Sequence, residues 1–378
     1  MMANLKKRII LKSPLKLILI SLILISLLCL KPALVVLTDD DNNNNINNND
    51  NEAYTALESF ITAKMKKHLV PGLSMVIFKD QEIVYSKGFG VKNATTGEPV
   101  DEDTIFEAAS FSKTLTAYAA MILMERGKLS LDKPLNQYLK HPYLPEQKYA
   151  DQITLRMVLN HTSGMSNDSD GKDRKVYFTP GGLFSYSGAG FRYLQQVIED
   201  VTGLPFAKFM DREIIKPLAM KSSSFVFKKE MLPLMANGHE AGKAFPITRM
   251  DVNAAYSLLT TPTDMAKFNM EICHPTLLKP KTVAWMLKPT VKWQNDIYWG
   301  LGLGLLKSPA GDFFWHWGSL YYYCNMMITD KDAKTGVIIM TNGNTGMRMA
   351  ERLAIKVINE YFLESSQKLD RKMFDFIS

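Results

Sequence analysis

Apolar positions recur at helical spacing in the segment that follows a polar tract near the start of the chain. Within residues 53–68 the spacing of three and four residues marks one face of a helix. The positions on this face are Ala53, Leu57, Phe60, Ile61 and Met65. Because Pro71 cannot continue a helix, the pattern predicts one helix that ends before it.

Short apolar runs bounded by polar turns predict strands at both ends of the chain. Residues 73–78 and 83–85 flank the polar turn Lys79-Asp80-Gln81, a pattern typical of an antiparallel hairpin. Four further runs come late, before a last predicted helix at about 347–362. They span residues 301–306, 312–317, 325–329 and 337–341.

The middle of the chain, from about residue 110 to 243, has mainly helical patterns. Its first helix places Leu115, Ala119 and Ile122 on one face, and Gly127 marks its end. Strands and helices that are segregated in this way favour an α+β fold. We therefore predict an antiparallel sheet built from both chain ends (about 52–109 and 250–364), flanked by helices, with a mainly helical insertion (about 110–249).

Composition restricts the class of protein. The chain has 378 residues, of which 46% are hydrophobic and 22% charged, which is enough to bury a large core. Six basic residues and no acid lie in residues 1–38, so the remainder carries 45 − 6 = 39 basic residues against 38 acidic ones, although the whole chain has a net charge of +7. This nearly neutral remainder predicts no nucleic-acid partner.

The first 51 residues differ from the rest. An uncharged apolar run at 17–30 follows several lysines, so residues 1–38 are predicted to be either a signal peptide or an N-terminal membrane anchor. Residues 39–51 are almost all Asp and Asn and are predicted to be a linker. The folded domain then spans 52–378. This order predicts an exported protein, periplasmic or otherwise extracytoplasmic, that is either secreted or anchored to a membrane through its N-terminus.

The cysteines and histidines give no metal or cofactor signature. Beyond the leader only Cys273 and Cys324 occur, and two buried, unpaired thiols are favoured over a disulfide. Histidines 68, 141, 239 and 274 lack metal-ligand spacing, and no glycine-rich phosphate loop is present. We expect no cofactor and no metal.

A serine and a lysine three residues apart are the strongest chemical candidates. In Ser110-Phe-Ser-Lys113 both side chains lie on one helix face, where a lysine of lowered pKa could take the serine proton. Ser-x-x-Lys also occurs at Ser13, Ser130, Ser169 and Ser365. The Ser110 copy differs from these because it lies at a predicted junction of strand and helix.

The sequence around Ser110 resembles the active-site block of the serine β-lactamase and penicillin-binding protein superfamily. Within this superfamily it is most similar to the group of class C β-lactamases, DD-peptidases and family VIII esterases. Further blocks are similar to this family in the expected order, so the resemblance covers roughly residues 52–362. The similar blocks are 106–117, 127–134, 153–165 (ending His161-Thr-Ser-Gly-Met), 180–203, 216–220, 259–268 and 299–303.

The resemblance implies a second element, Tyr-x-Asn, at Tyr186-Ser-Gly188. Tyr186 would then shuttle a proton to the leaving group, while Gly188 departs from the family pattern by replacing the asparagine. A literal Tyr-Cys-Asn at 323–325 falls beside a predicted strand and is interpreted as structural.

The third element, Lys-Thr-Gly or His-x-Gly in the family, looks like His316-Trp-Gly318. Gly318 would let an extended substrate lie against the strand edge, and His316 would orient a carboxylate or tune Tyr186. By analogy with the family, the amides of Ser110 and Ser319 would form the oxyanion hole. A literal Lys-Thr-Gly at 334–336 is predicted to be a hairpin connection.

These residues predict a serine hydrolase that forms an acyl-enzyme at Ser110. In this family the same catalytic residues act on small esters, D-amino-acid peptides and β-lactams. The expected partner is therefore a small-molecule or peptide substrate. Gly188 and the bulky Trp317 favour an esterase or D-specific peptidase over a β-lactamase. The alternative, motivated by Gly188, is a non-catalytic, membrane-tethered binding module that keeps the fold.

Overall fold

The structure is a computed structural model that describes residues 40–144, 148–168, 170, 172–363 and 368–370, with backbone only for 40–53. The predicted leader, residues 1–38, lies outside this range. Contacts divide the chain after Leu57, and the elements of the candidate site belong to the unit that begins at Glu58. Among the described residues, no helix combines the length and apolar character needed to cross a bilayer.

The strands of the main sheet come from both ends of the chain and most helices lie between them, as the α+β prediction requires. The strands are β1 Gly72–Lys79, β2 Glu82–Asn93, β3 Glu98–Pro99, β4 Phe106–Glu107, β5 His239–Glu240, β6 Lys243–Ala244, β7 Leu259–Thr260, β8 Val291–Gln294, β9 Ile297–Trp299, β10 Gly304–Ser308, β11 Gly311–Leu320, β12 Tyr323–Asp330 and β13 Thr335–Thr341. The helices are α1 Asp40–His68, α2 Phe111–Glu125, α3 Leu155–Leu159, α4 Gly188–Thr202, α5 Phe206–Met210, α6 Pro262–Cys273, α7 Pro280–Met286 and α8 Met347–Tyr361. Short 3-10 helices lie at Leu135–Tyr138 and Lys229–Leu234, and a π-helical turn at Asp211–Ile215.

Strands from both chain ends join in one antiparallel sheet, as predicted. Within the described residues this sheet has nine strands in the order β3-β2-β1-β13-β12-β11-β10-β9-β8. The first strand meets the last directly, in a register that runs from Leu73 opposite Thr341 to Lys79 opposite Thr335. Seven consecutive buried residues in β1 show that both faces of this strand are covered, and α6 and α8 pack against the central strands.

Helix α2 passes through the centre of the molecule and carries the candidate nucleophile at its N-terminus. The sequence predicts one apolar face, but all thirteen residues from Phe111 to Leu123 are buried. The cause is tertiary: α2 packs against strand β11 on the sheet side and against helix α4 and the π-helical turn elsewhere. The helix ends where predicted, with Gly127 in the left-handed conformation.

The structure departs from the sequence predictions at several boundaries. Helix α1 begins at Asp40 rather than near residue 53, so it runs through most of the tract predicted to be a linker. The strand predicted over 301–306 begins only at Gly304, because residues 300–303 form a turn in which Gly302 has φ +87° and packs against Ala117. Strands β8 and β9 and the β5–β6 hairpin were not predicted. The division into leader, linker and domain stays a prediction.

The two cysteines among the described residues, Cys273 and Cys324, are unpaired, which was the favoured prediction. Cys324 is buried in β12, and Cys273 is half-buried at the end of α6. Burial raises the pKa of both thiols, to about 12 for Cys273.

Candidate active site

Ser110 lies at the junction of strand β4 and helix α2, as its sequence context predicts. Ala109, the residue before it, adopts the left-handed conformation with φ +50°, which is uncommon for a residue other than glycine. The neighbouring Ser112 is fully buried and fixes this bend, because its hydroxyl donates to the Ala109 carbonyl at 2.7 Å and accepts from the Leu258 amide at 3.0 Å. The bend places Ser110 at the N-terminus of α2, where partial positive charge favours an anion.

Lys113 is positioned to act on Ser110. Its Nζ lies 3.0 Å from Ser110 Oγ and 2.9 Å from the Ala255 carbonyl oxygen. Only 3% of Lys113 is exposed, and burial lowers the pKa of its amine to about 7. In the neutral form, one N–H can donate to Ala255 while the nitrogen lone pair faces the Ser110 hydroxyl. This geometry would allow Lys113 to act as a general base toward Ser110.

A rigid turn at residues 253–257 holds the second partner of Lys113. The Asn253 side chain accepts from the Ala255 amide at 2.8 Å, and Thr116 of α2 donates to the Ala254 carbonyl at 3.0 Å. Sequence reasoning missed this turn, since a backbone carbonyl has no residue-type signature.

Tyr186 stands beside the serine and lysine, as the resemblance implies. Lys113 Nζ lies 5.0 Å from the centre of the Tyr186 ring, within the range of a cation–π contact. The Tyr186 hydroxyl is buried, and burial raises its pKa further above the ordinary value, while the Ser110 side chain works against this rise. The phenol therefore keeps its proton at neutral pH and can donate it.

Gly188, where the family pattern has asparagine, is the first residue of helix α4. Ser187 caps this helix, because its hydroxyl accepts from the Gly190 amide at 2.9 Å. The helix thus starts directly after Tyr186, and position 188 offers no side-chain amide to a substrate.

The third predicted element lies on strand β11 next to Ser110. His316 is fully buried, and its Nδ1–H donates to the Trp317 carbonyl at 2.6 Å, because a carbonyl can only accept. Burial lowers the pKa of His316 to about 3, so its ring is neutral at physiological pH. A neutral, buried imidazole does not supply the charge that would orient a substrate carboxylate. Of its two predicted roles, only an influence on Tyr186 fits the structure.

Gly318 has a packing role that the sequence did not predict, and its contact with an extended substrate stays a prediction. A Cβ at this position would lie 2.3 Å from the Ala108 carbonyl oxygen, so β11 comes within contact of the segment that leads to Ser110. The close approach is to the protein's own backbone. Ser319 follows with an exposed side chain, and its amide in the oxyanion hole stays a prediction.

The two literal copies of family motifs are structural, as interpreted from sequence. Asn325 is buried in β12, where its Nδ2 donates to the Glu107 carbonyl at 3.0 Å and its Oδ1 accepts from the Thr341 amide at 3.3 Å. It ties the sheet to strand β4, just before Ser110. Lys334 occupies the turn before β13, with φ +53°.

Aromatic rings surround Tyr186 on the sheet side. The Trp317 ring lies 4.7 Å from the Tyr186 ring and 5.8 Å from Trp293, and both indoles are half-buried. They form an apolar wall beside Tyr186. In the part of the chain that the structure describes, no group of three His, Cys, Asp or Glu side chains is arranged to hold a metal ion.

Comparisons with known proteins agree with this geometry. The chain is 28% identical to a β-lactamase of Pseudomonas fluorescens over 238 residues, which is 59% of this chain and 65% of that protein, less than two thirds of its length. It is 21% identical to protein flp of Staphylococcus aureus strain MRSA252 over 347 residues, 82% of this chain and 67% of that protein.

Solved structures share the fold. The octameric penicillin-binding protein homologue of Pyrococcus abyssi superposes with a TM-score of 0.71 at 26% identity, over 80% of this chain and 75% of that one. A structure described as SurE gives 0.68 at 22% identity, over 81% and 75%. The sequence model of the β-lactamase family matches residues 57–360. With this match and the serine, lysine and tyrosine in place, the chain belongs to the β-lactamase family.

Proposed function

We propose that this protein is an exported serine hydrolase that forms an acyl-enzyme on Ser110. The observation that carries the proposal is the 3.0 Å hydrogen bond between Ser110 Oγ and a buried Lys113 whose pKa is lowered to about 7. Membership of the β-lactamase family supports serine-hydrolase chemistry in general.

Acylation follows from the protonation states of the three side chains. Neutral Lys113 takes the Ser110 proton while Oγ attacks the substrate carbonyl carbon, which leaves an oxyanion at the N-terminus of α2. Tyr186 then gives its proton to the leaving group as the carbonyl re-forms. This step leaves an ammonium on Lys113 and a phenolate on Tyr186, and their contact stabilises both charges.

Deacylation returns both protons. Water attacks the acyl carbonyl and transfers one proton to the Tyr186 phenolate. When the second tetrahedral intermediate collapses, Ser110 Oγ leaves and takes a proton from the Lys113 ammonium. The products are the carboxylic acid and the leaving-group alcohol or amine, and the enzyme is unchanged.

The side chains around the nucleophile favour a small, uncharged ester as substrate. Trp317 presents an apolar ring beside Tyr186, and neutral His316 provides no charge for a carboxylate. Gly188 removes the amide that could hold the acylamino group of a β-lactam or peptide. We rank esters first, D-amino-acid peptides second and β-lactams last.

Export is part of the same proposal and rests on the sequence of residues 1–38. Their lysines followed by an apolar run are typical of a signal peptide or an N-terminal membrane anchor.

Hydrolysis of p-nitrophenyl butyrate by the full chain, with intact-mass detection of the acylated protein, tests the proposal. We expect turnover and a butyryl adduct, and we expect Ser110→Ala to abolish both. Ser130→Ala is the matched control, because Ser130 belongs to another Ser-x-x-Lys copy and is exposed.

Two results would contradict the proposed role of Ser110. Turnover that survives Ser110→Ala would place the nucleophile elsewhere. If neither esters, D-peptides nor β-lactams are turned over or form an adduct, the binding-module alternative is favoured.

A further inference from the structure

His161, which lies near the end of one of the blocks that resemble the family, packs against Tyr186. It is fully buried, and its backbone adopts the left-handed conformation with φ +59°. Its imidazole ring is centred 4.3 Å from the Tyr186 ring, at an interplanar angle of 33°. The two rings are therefore in contact beside the candidate nucleophile.

Both amides that flank Tyr186 donate to His161. The Ser185 amide donates to the His161 carbonyl at 2.8 Å, and the Ser187 amide donates to His161 Nδ1 at 3.0 Å. Tyr186 is thus the middle residue of a segment fixed on each side by the same residue. Because the backbone of His161 is left-handed, its carbonyl and its side chain can both accept hydrogen bonds from this segment.

The protonation state of His161 follows from these contacts. Because Nδ1 accepts from an amide, the neutral ring must carry its proton on Nε2. Burial lowers the pKa of His161 well below the ordinary value, and the nearby Lys113 and His316 lower it further. When either of these two groups is protonated, its positive charge also disfavours the His161 imidazolium, which would place a proton where the Ser187 amide donates.

We propose that His161 is a positioning residue for Tyr186. Its two acceptors fix the backbone on both sides of the tyrosine, and its ring packs against the phenol ring. The proposal rests on the proposed function, in which Tyr186 protonates the leaving group. It assigns His161 no proton transfer.

Substitutions at His161 distinguish the loss of its hydrogen-bond acceptor from a change in side-chain size. Asparagine places Oδ1 near the position of Nδ1 and tolerates a left-handed backbone, so His161→Asn should retain activity within about threefold. Glutamine places its amide near Nε2 instead, and alanine has no acceptor. We expect His161→Ala and His161→Gln to lower kcat for alkyl esters at least tenfold, with little change in KM, since these esters need a protonated leaving group.

A double-mutant comparison distinguishes positioning from a general structural role. If His161 acts through Tyr186, adding His161→Ala to Tyr186→Phe causes no further loss of alkyl-ester turnover. Turnover of p-nitrophenyl butyrate, whose leaving group departs without protonation, should fall less than that of ethyl butyrate. Additive losses, or equal losses for both esters, would overturn the proposal. If His161→Ala does not fold, His161→Gln takes its place in these comparisons and His161→Asn serves as the control.

A spectroscopic measurement keeps the proposal testable if no ester is turned over. In protein with ¹³C-labelled tyrosine rings, the signal that Tyr186→Phe removes belongs to Tyr186. We expect this signal to shift in His161→Gln and to keep its position in His161→Asn. An unchanged signal in His161→Gln would refute positioning, whereas failure of the proposed function appears separately as absence of turnover in the unmodified protein.

Discussion

Replacing Lys113 with methionine should make the protein more stable at neutral pH while abolishing its hydrolase activity. A buried amine that must lose its proton on folding destabilises the folded state, and methionine has a similar length without a charge. The wild-type pKa falls from 10.5 to about 7 because burial disfavours the ammonium.

The size of the effect follows from the two pKa values. At about 1.4 kcal/mol per pH unit, the folded protein loses about 5 kcal/mol relative to one with an unperturbed lysine. Unfolded Lys113 binds a proton below pH 10.5 and folded Lys113 only below about 7, so stability falls as the pH is lowered through this window. Methionine removes this loss. It also leaves the Ala255 carbonyl without a hydrogen-bond donor, which destabilises the folded state by about 1–3 kcal/mol.

Urea denaturation of the wild type and Lys113→Met between pH 7 and 10 measures the balance. We expect the variant to be more stable by about 2 kcal/mol at pH 7, an advantage that disappears and then reverses as the pH approaches 10. The exposed Lys128, changed to methionine, is the control and should show a difference independent of pH. A difference between Lys113→Met and wild type that does not change with pH would refute the reasoning.

Further predictions concern the residues around the nucleophile. Gly318→Ala places a methyl group 2.3 Å from the Ala108 carbonyl oxygen, so urea denaturation should show a loss of about 1–3 kcal/mol; an unchanged midpoint would contradict the close approach. Asn325→Ala leaves the Glu107 carbonyl without its donor and should lower stability by about 1–3 kcal/mol in the same assay. Tyr186→Phe should lower kcat for ethyl butyrate by about 10²–10⁴ and less for p-nitrophenyl butyrate; equal losses would argue against proton donation. The kcat/KM of the wild type should fall about tenfold per pH unit below pH ~7 as Lys113 becomes protonated, with no contribution from His316 until about pH 3; a flat profile between pH ~5 and ~7 would exclude Lys113 as the base.

The outline of the fold was predictable because hydrophobic periodicity is a local property. The strands at both ends and helix α2 were all found near their predicted positions. Strands β8 and β9 were missed because they are short and partly exposed, and their apolar run is interrupted by Lys292 and Asn295. The residues predicted on one face of α2 are buried, but the burial of its other faces was not predicted because periodicity does not reveal what packs against them.

The candidate site was predictable only to the level of residue types. Ser110 and Lys113 were distinguished from four other copies of the same spacing by their position at a strand–helix junction. The partner that fixes Lys113, the Ala255 carbonyl, lies 142 residues away along the chain. The lowered pKa depends on burial by distant segments, and the neutral state of His316 has the same origin.

The pairing of β1 with β13 also determines when the protein can fold. The Gly72 amide donates to Asn342, 270 residues later, beside a strand pair that forms the middle of the sheet. During synthesis β1 therefore waits without its partner until β13 has been made, and closing so long a loop slows folding. A nascent chain that stops before residue 335 leaves β1 and β12 as unpaired edges, open to aggregation or to chaperones. If the chain is exported as proposed, late closure of the central sheet would keep it unfolded during the time in which a translocation machinery captures it.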